Sequence, residues 1–371
     1  MSRIEHGRLT VVQHCEVYRH ADQFAGWPAN YGLWIWDEEV VVVFAQGRLG
    51  AQGDIHARDR AHAFVPRQAR SFDGGLTWAC ETFNGRTPGG RTLSADEHVE
   101  EALRAQGSID PGQDLSMLRY PVDFLDPETI VLAARTGIWG HPVSWFYVSR
   151  DRARSWQGPY AINPMGLPGI SARTDIVPLS HHDALFMLTS TKSSGEEGRV
   201  FCARTSDGGT NFRLQSFLMG EAEGYAIMPA SVLLHDGRVL TLVRRMGGGP
   251  GGWIDTFVSD DLGLSWDRVG YPIETGYGGN PPAVSILPGG SIALIYGYRD
   301  KPYGVRCRIS HDGGSSWSTE TIVREDGGSP DLGYPRIVMR SDKSSLLAVY
   351  YFNEYADRER FIAASIIHLP I

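Results

Sequence analysis

One octapeptide, Ser/Thr-x-Asp-x-Gly-x-Ser/Thr-Trp, recurs along the chain and limits its possible folds more than any other feature. It runs from Ser71 through Asp73, Gly75 and Thr77 to Trp78, and returns at 259–266 and 310–317. Two relaxed copies lie between them. The copy at 149–156 has Ala153 in place of the glycine, and that at 205–212 has Phe212 in place of the tryptophan. Each copy has the chemistry of a tight turn between two strands: Asp and Ser/Thr side chains bond nearby amides, Gly supplies positive φ, and the aromatic ring buries between sheets. Such repetition means a repeat architecture, in which no unit buries its apolar face alone.

A second repeat accompanies the first. Six strand starts, most of them proline-bearing, occur at Trp27-Pro28, Tyr120-Pro121, Arg173-Thr174, Met228-Pro229, Pro281-Pro282 and Tyr334-Pro335. Each precedes a strongly apolar run: 40–45, 130–134, 184–188, 239–243, 292–296 and 346–351. The last three starts are 53 residues apart. A unit of that length holding four strands is a propeller blade. The expected fold is all-β: a six-bladed β-propeller of four-stranded antiparallel blades, forming one domain over residues 1–371. The sixth unit has no turn octapeptide of its own, so residues 9–18 are expected to supply its fourth strand and close the ring, removing exposed edges. The largest insertion spans about 84–115. Within it Ser94-Ala95-Asp96-Glu97 reads as a capping box opening a short helix to about Ala105.

Composition excludes several function classes. With 42% hydrophobic and 21% charged residues the chain is neither disordered nor a helical membrane protein, since it has no apolar run of about 18 residues. Gly and Pro total 65 of 371 residues, which fits many short strands joined by turns. A net charge of −8 argues against a protein that coats nucleic acid. The N-terminus lacks the apolar stretch of a signal peptide, and a cytoplasmic location is expected. Cys15, Cys80, Cys202 and Cys307 are too far apart to suggest a disulfide framework or structural zinc.

Blade topology locates the functional face. With the octapeptides in the turns between third and fourth strands, a site at the axial mouth draws on the opposite face, from first-strand starts and second-to-third-strand loops. The starts contribute Trp27, Arg119, Arg173 and Tyr334, and the loops contribute Arg48, His56, Asp59, His62, Arg135, Arg244 and Arg299. The mouth is therefore expected to be cationic on an acidic protein and to suit a small anionic ligand such as a carboxylated or sulfated sugar.

The five boxes and the six-unit periodicity resemble those of the sialidase (neuraminidase) superfamily, whose repeats are known as Asp-boxes or BNR repeats. The resemblance implies a carboxylate held by three arginines, a Tyr nucleophile polarised by a Glu, and an Asp acting as acid and base. Tyr334, in Leu332-Gly333-Tyr334-Pro335-Arg336, matches the family's nucleophile at the start of the sixth blade. Asp59 falls in the loop of the acid/base Asp, with His56 and His62 three residues to either side as possible proton carriers. Two departures stand out: Gly26-Trp27-Pro28 lacks the first-blade arginine, and Met228-Pro229 lacks the carboxylate that polarises the Tyr. Glu223 and Asp175 are the candidates to take the Tyr334 proton, and Arg119 and Arg173 offer replacement charge. The expectation is a sialidase-like glycoside hydrolase acting on an acidic sugar other than ordinary N-acetylneuraminic acid.

Two other classes fit the residues. A polysaccharide lyase acting at uronic acids needs a neutralised carboxylate, a base and an acid, which Arg173 or Arg244, His56 and Tyr334 could supply. A non-catalytic carbohydrate-binding propeller needs none of these. No cofactor or metal is expected: His181-His182 falls in a turn on the far face, and the glycine run at 247–252 joins two strands rather than opening a helix.

Overall fold

The apolar runs become the second strands of six antiparallel sheets, each nearly or wholly buried because neighbouring sheets cover both faces. The computed structural model describes residues 9–51, 55–90, 92–105, 114–173 and 175–369. The sheets are the blades of a six-bladed β-propeller of four-stranded antiparallel design. In the fourth blade, for example, Tyr225–Leu233, Val239–Met246, Gly251–Ser259 and Asp267–Tyr277 pair in chain order. The ring closes as the repeat arithmetic requires. Thr10–Tyr18 pairs with Phe361–His368 from His368 to Ile362, so the sixth blade takes its outer strand from the N-terminus.

All five octapeptides fold as one kind of turn. In the first, Ser71 Oγ accepts the Gly75 amide at 2.9 Å, and Asp73 Oδ1 accepts the Thr77 amide at 2.9 Å. Burial works against ionisation of Asp73, yet the Thr77 and Ser71 donors hold its carboxyl at about 2. The tryptophans are less covered than the sequence implied. Trp156 is buried against Trp34 and Phe83, whereas Trp78, Trp266 and Trp317 are half-buried.

The second blade departs from the expected strand order. Tyr120-Pro121 does not begin an inner strand: Tyr120 is exposed, and Ser116 pairs with Tyr160 on the blade's outermost strand, Gln157–Ala161. The inner place is filled by residues 92–99. Ser94 Oγ accepts the Arg135 amide at 3.1 Å, and Leu93, Ala95 and Val99 pack with Leu132 and Ala134. The expected capping box therefore does not form. A 3-10 turn at Asp96–His98 and a helix at Glu101–Ala105 replace the single helix, because Ser94 and Glu97 are drawn to Arg135 instead of capping one another.

Candidate functional site

Inner strands break where they reach the axial mouth, and the breaks carry the side chains that matter. In the first blade a 3-10 turn at Pro28–Asn30 separates Gln23–Gly26 from Gly32–Trp36. In the third, Ile170–Ser171 and Ile176–Pro178 leave Arg173 between them, while Thr174 lies outside the described residues. In the fourth and sixth blades the pairing register shifts between Ile227 and Ala230 and between Gly333 and Arg336. A residue at such a break is freed from the up-and-down alternation of the strand.

These breaks surround a cavity of about 370 Å³ lined by Asn30, Glu97, His98, Arg173, Glu197, Tyr225, Arg244 and Tyr334, with Trp139 and Glu196 at its edge. Arg244 Nη1 donates to the Tyr334 hydroxyl at 2.9 Å, and its Nη2 donates to the Tyr225 hydroxyl at 3.0 Å and to the Gly278 carbonyl at 2.6 Å. Arg299 lies behind the Tyr334 ring, its guanidinium carbon 5.5 Å from the ring centre. Burial opposes ionisation of the Tyr334 hydroxyl, but the guanidiniums of Arg244, Arg299 and Arg173 outweigh it and hold the group below the usual phenol range.

Two buried glutamates face Arg173 from either side. Glu97 is gripped by Arg135 at 2.8 and 2.5 Å and by Arg173 Nη2 at 3.2 Å. Burial would raise its pKa, yet the Arg135 pair holds the carboxyl well below the ordinary range. Glu197 is different. Its Oε1 lies 3.2 Å from Arg173 Nε without hydrogen-bond geometry, and burial raises its pKa despite the nearby arginines. One cavity thus holds an ionised carboxylate and a carboxyl biased toward its protonated form, the division that general acid catalysis requires.

Beneath the cavity, Trp27 stacks on His98 at 3.8 Å and meets His56 edge-on at 5.3 Å. Burial lowers the pKa of both histidines and so favours their neutral forms, against the pull of Asp331 on His56 and of Glu97 on His98. His56 Nδ1 donates to Asp331 at 2.7 Å, and the same carboxylate accepts from Arg360 Nε at 2.7 Å and from the Tyr351 hydroxyl at 2.9 Å. His56 and Trp27 therefore form the floor rather than the reacting surface.

Of the residues picked from sequence, Tyr334, Arg173 and Arg244 line the cavity. Arg299 is buried behind it, tied to the Gly279 and Leu332 carbonyls. Asp59 does not line it, because its carboxylate is turned back onto its own loop, accepting the Ala61 amide at 2.9 Å and His62 Nδ1 at 2.6 Å. Arg48 is exposed and contacts His62. Arg119 is exposed on the segment that runs outside the second blade. Neither candidate to take the Tyr334 proton reaches it. Asp175 is bound by Arg336 and the Ser231 amide, and Glu223 is exposed, its carboxyl lying over Gly248. The lining is not a cationic rim either, since Arg173 and Arg244 are matched by Glu97, Glu196 and Glu197. Glu97, His98 and Glu197 are additions that sequence reasoning did not single out. Glu197 opens the third strand of the third blade, next to the loop between its second and third strands, a class of loop the topology assigns to the mouth, but nothing in the insertion pointed to Glu97. Among the described residues no group of three or more His, Cys, Asp or Glu side chains is placed to hold a metal ion, and no helix is long and apolar enough to cross a membrane.

The fold is shared with glycoside hydrolases. No protein-family model and no curated sequence matches the chain. Among solved structures it is similar to a Dyadobacter fermentans protein of unknown function, at 21% identity over 97% of this chain and 99% of that one, with a TM-score of 0.72. The NanB sialidase of Streptococcus pneumoniae matches at 12% identity over 92% of this chain and 69% of its own, TM-score 0.59. An alpha-L-arabinofuranosidase of Fusarium graminearum, solved with an iminosugar inhibitor, matches at 11% over 96% and 98%, TM-score 0.59. At these identities the likeness is one of fold.

Proposed function

We propose that the protein is a glycoside hydrolase with Tyr334 as nucleophile and Glu197 as the acid that protonates the departing sugar oxygen. The observation that carries this reading is that the Tyr334 hydroxyl, drawn toward ionisation by arginines, and the buried Glu197 carboxyl, whose pKa burial raises although Arg173 lies beside it, line the same cavity. Arg244 and Arg299 here do the work that a carboxylate partner of the tyrosine would do: they stabilise the phenolate instead of accepting its proton. In the first step Tyr334, as a phenolate that has released its proton to solvent, attacks the anomeric carbon, the glycosidic C–O bond breaks, and the Glu197 proton passes to the leaving oxygen. In the second, Glu197, now ionised, takes a proton from water that cleaves the tyrosyl–sugar bond. Glu97 acts through Arg173, fixing its guanidinium between the two carboxyl groups.

Because the lining arginines are offset by at least as many negative groups, a neutral glycoside fits the cavity better than the acidic sugar suggested by the loop composition. An arginine bonded to a tyrosine oxygen is also the pair a lyase uses at a uronate, which keeps β-elimination as a second reading. A screen of nitrophenyl glycosides, neutral and acidic, alongside uronate polymers followed by the ultraviolet absorbance of unsaturated product, separates the classes. Turnover of a neutral aryl glycoside is expected. Tyr334→Phe and Glu197→Gln should each lower kcat on a poor leaving group by at least about 100-fold. With a dinitrophenyl leaving group, which needs no proton, Glu197→Gln should recover much of its first-step rate. Full activity in Tyr334→Phe overturns the assignment.

A further inference from the structure

Three of the four tryptophans that end octapeptides place their indole N–H on an acceptor. Trp78 donates to the Gly75 carbonyl at 2.9 Å, Trp156 to Gln68 Oε1 at 3.1 Å, and Trp266 to Ser216 Oγ at 3.0 Å. Trp317 is different: its Nε1 is buried without a hydrogen-bond partner. The neighbouring strand of the fourth blade explains why. Thr256 pairs with Val269 and Ile254 with Ile273, so Gly270, Tyr271 and Pro272 stand opposite the single residue Asp255. Gly270 lies so near the fifth turn that a Cβ there would meet the Ser315 carbonyl at 2.9 Å, and no side chain can reach Trp317 from it. Tyr271 is thrown outward and is 90% exposed.

This bulge opens a cavity of about 470 Å³ between the fourth and fifth blades, lined by Tyr271, Glu274, Tyr298, Arg308, Trp317 and Glu320. No residue lines both this cavity and the one around Tyr334. Arg308 is engaged by the Tyr296 hydroxyl and the Ser318 carbonyl, and Glu320 by the Tyr296 hydroxyl. Glu274 is exposed, and its carboxyl forms no hydrogen bond or ion pair among the described residues. Aromatic faces and two carboxylates to one guanidinium match a neutral sugar, whose C–H faces stack on rings and whose hydroxyls reach charged partners. The carboxylate excess disfavours an anionic chain.

We propose that this rim cavity is a second, non-catalytic binding site for a segment of a neutral oligosaccharide. The inference goes beyond the catalytic reading and stands without it. Native electrophoresis through gels carrying soluble arabinan, xylan or galactomannan tests it. Retardation in at least one gel is expected, with Tyr271→Ala weakening apparent affinity about tenfold, the order of one stacked ring, and Glu274→Gln weakening it in the same sense. Glu197→Gln, altered only at the mouth, should be retarded like the wild type. No retardation in any gel overturns the proposal, as does retardation that Tyr271→Ala leaves intact or that Glu197→Gln abolishes. Binding at the rim with no turnover at the mouth would instead refute the hydrolase reading alone.

Discussion

Asp331→Asn probes how the floor of the mouth is held. Asp331 is fully buried and accepts four hydrogen bonds: His56 Nδ1 at 2.7 Å, the Ala57 amide at 2.8 Å, the Tyr351 hydroxyl at 2.9 Å and Arg360 Nε at 2.7 Å. Burial opposes its ionisation, but these donors hold its carboxyl well below the usual range. Asparagine keeps the shape, removes the charge facing the fully buried Arg360, and turns an NH2 group toward donors. Breaking a buried pair from one side costs roughly 3–5 kcal/mol, and about 4 kcal/mol is expected here. That is a large part of a total stability of about 5–15 kcal/mol. In urea denaturation, with a slope of about 3 kcal/mol/M, the midpoint should fall by more than about 1 M. The half-exposed Asp59→Asn, also beside a histidine, should cost less than about 1 kcal/mol. Adding Arg360→Met to Asp331→Asn removes the stranded charge and should restore part of the loss. A single Asp331→Asn variant within about 1 kcal/mol of wild type would refute the reasoning.

Two further outcomes follow from the same structure. His56 and His98 have folded-state pKa values below their unfolded value, so the unfolded chain binds more protons as pH drops past about 6.5 and stability should fall. Glu197, with a raised value, works in the opposite sense but with one proton against two. Thermal melting at pH 7.5 and 5.5 checks this; an unchanged or higher midpoint at 5.5 contradicts it. Deleting the chain through Tyr18 strips the outer strand from Phe361–His368 and reopens the ring. Self-association or a large loss of melting temperature is expected, and a monomer melting like wild type would show that closure is dispensable.

The fold was legible because its determinants are local and repeated. Ser71, Asp73, Gly75 and Trp78 form their turn from within eight residues, and five copies in sequence report five blade ends. The closing strand was legible by elimination, since the sixth unit lacked an outer strand and residues 9–18 lacked a partner. The site was legible only where it followed the repeat, at Tyr334, Arg173 and Arg244. Glu97 was hidden because Ser94 and Glu97 have the spacing of a helix cap, and only the distant Arg135 diverts both. Asp59 misled for the opposite reason: its loop position suggested the mouth, but Ala61 and His62 satisfy it locally.

Trp27, Met228 and Tyr334 share a backbone state that residue patterning does not reveal. Their φ angles are 63°, 53° and 50°, and each directly precedes a proline. A residue before proline is ordinarily extended, and a non-glycine residue in the left-handed region costs about 1–3 kcal/mol. Such a conformation persists only where its surroundings fix it. Asn280 supplies that support in the sixth blade: its Oδ1 accepts the Tyr334 amide at 2.9 Å while its Nδ2 donates to the Leu332 carbonyl at 2.9 Å. In the first blade the Trp27 carbonyl accepts the Asn30 amide at 2.9 Å and the ring lies on His98. The same proline-led start therefore serves different ends around the ring. At Met228 it brings only a thioether within 3.6 Å of Arg244, whereas at Tyr334 it brings a hydroxyl to the same guanidinium. The scaffold supplies the position, and the residue before the proline decides whether that position carries chemistry.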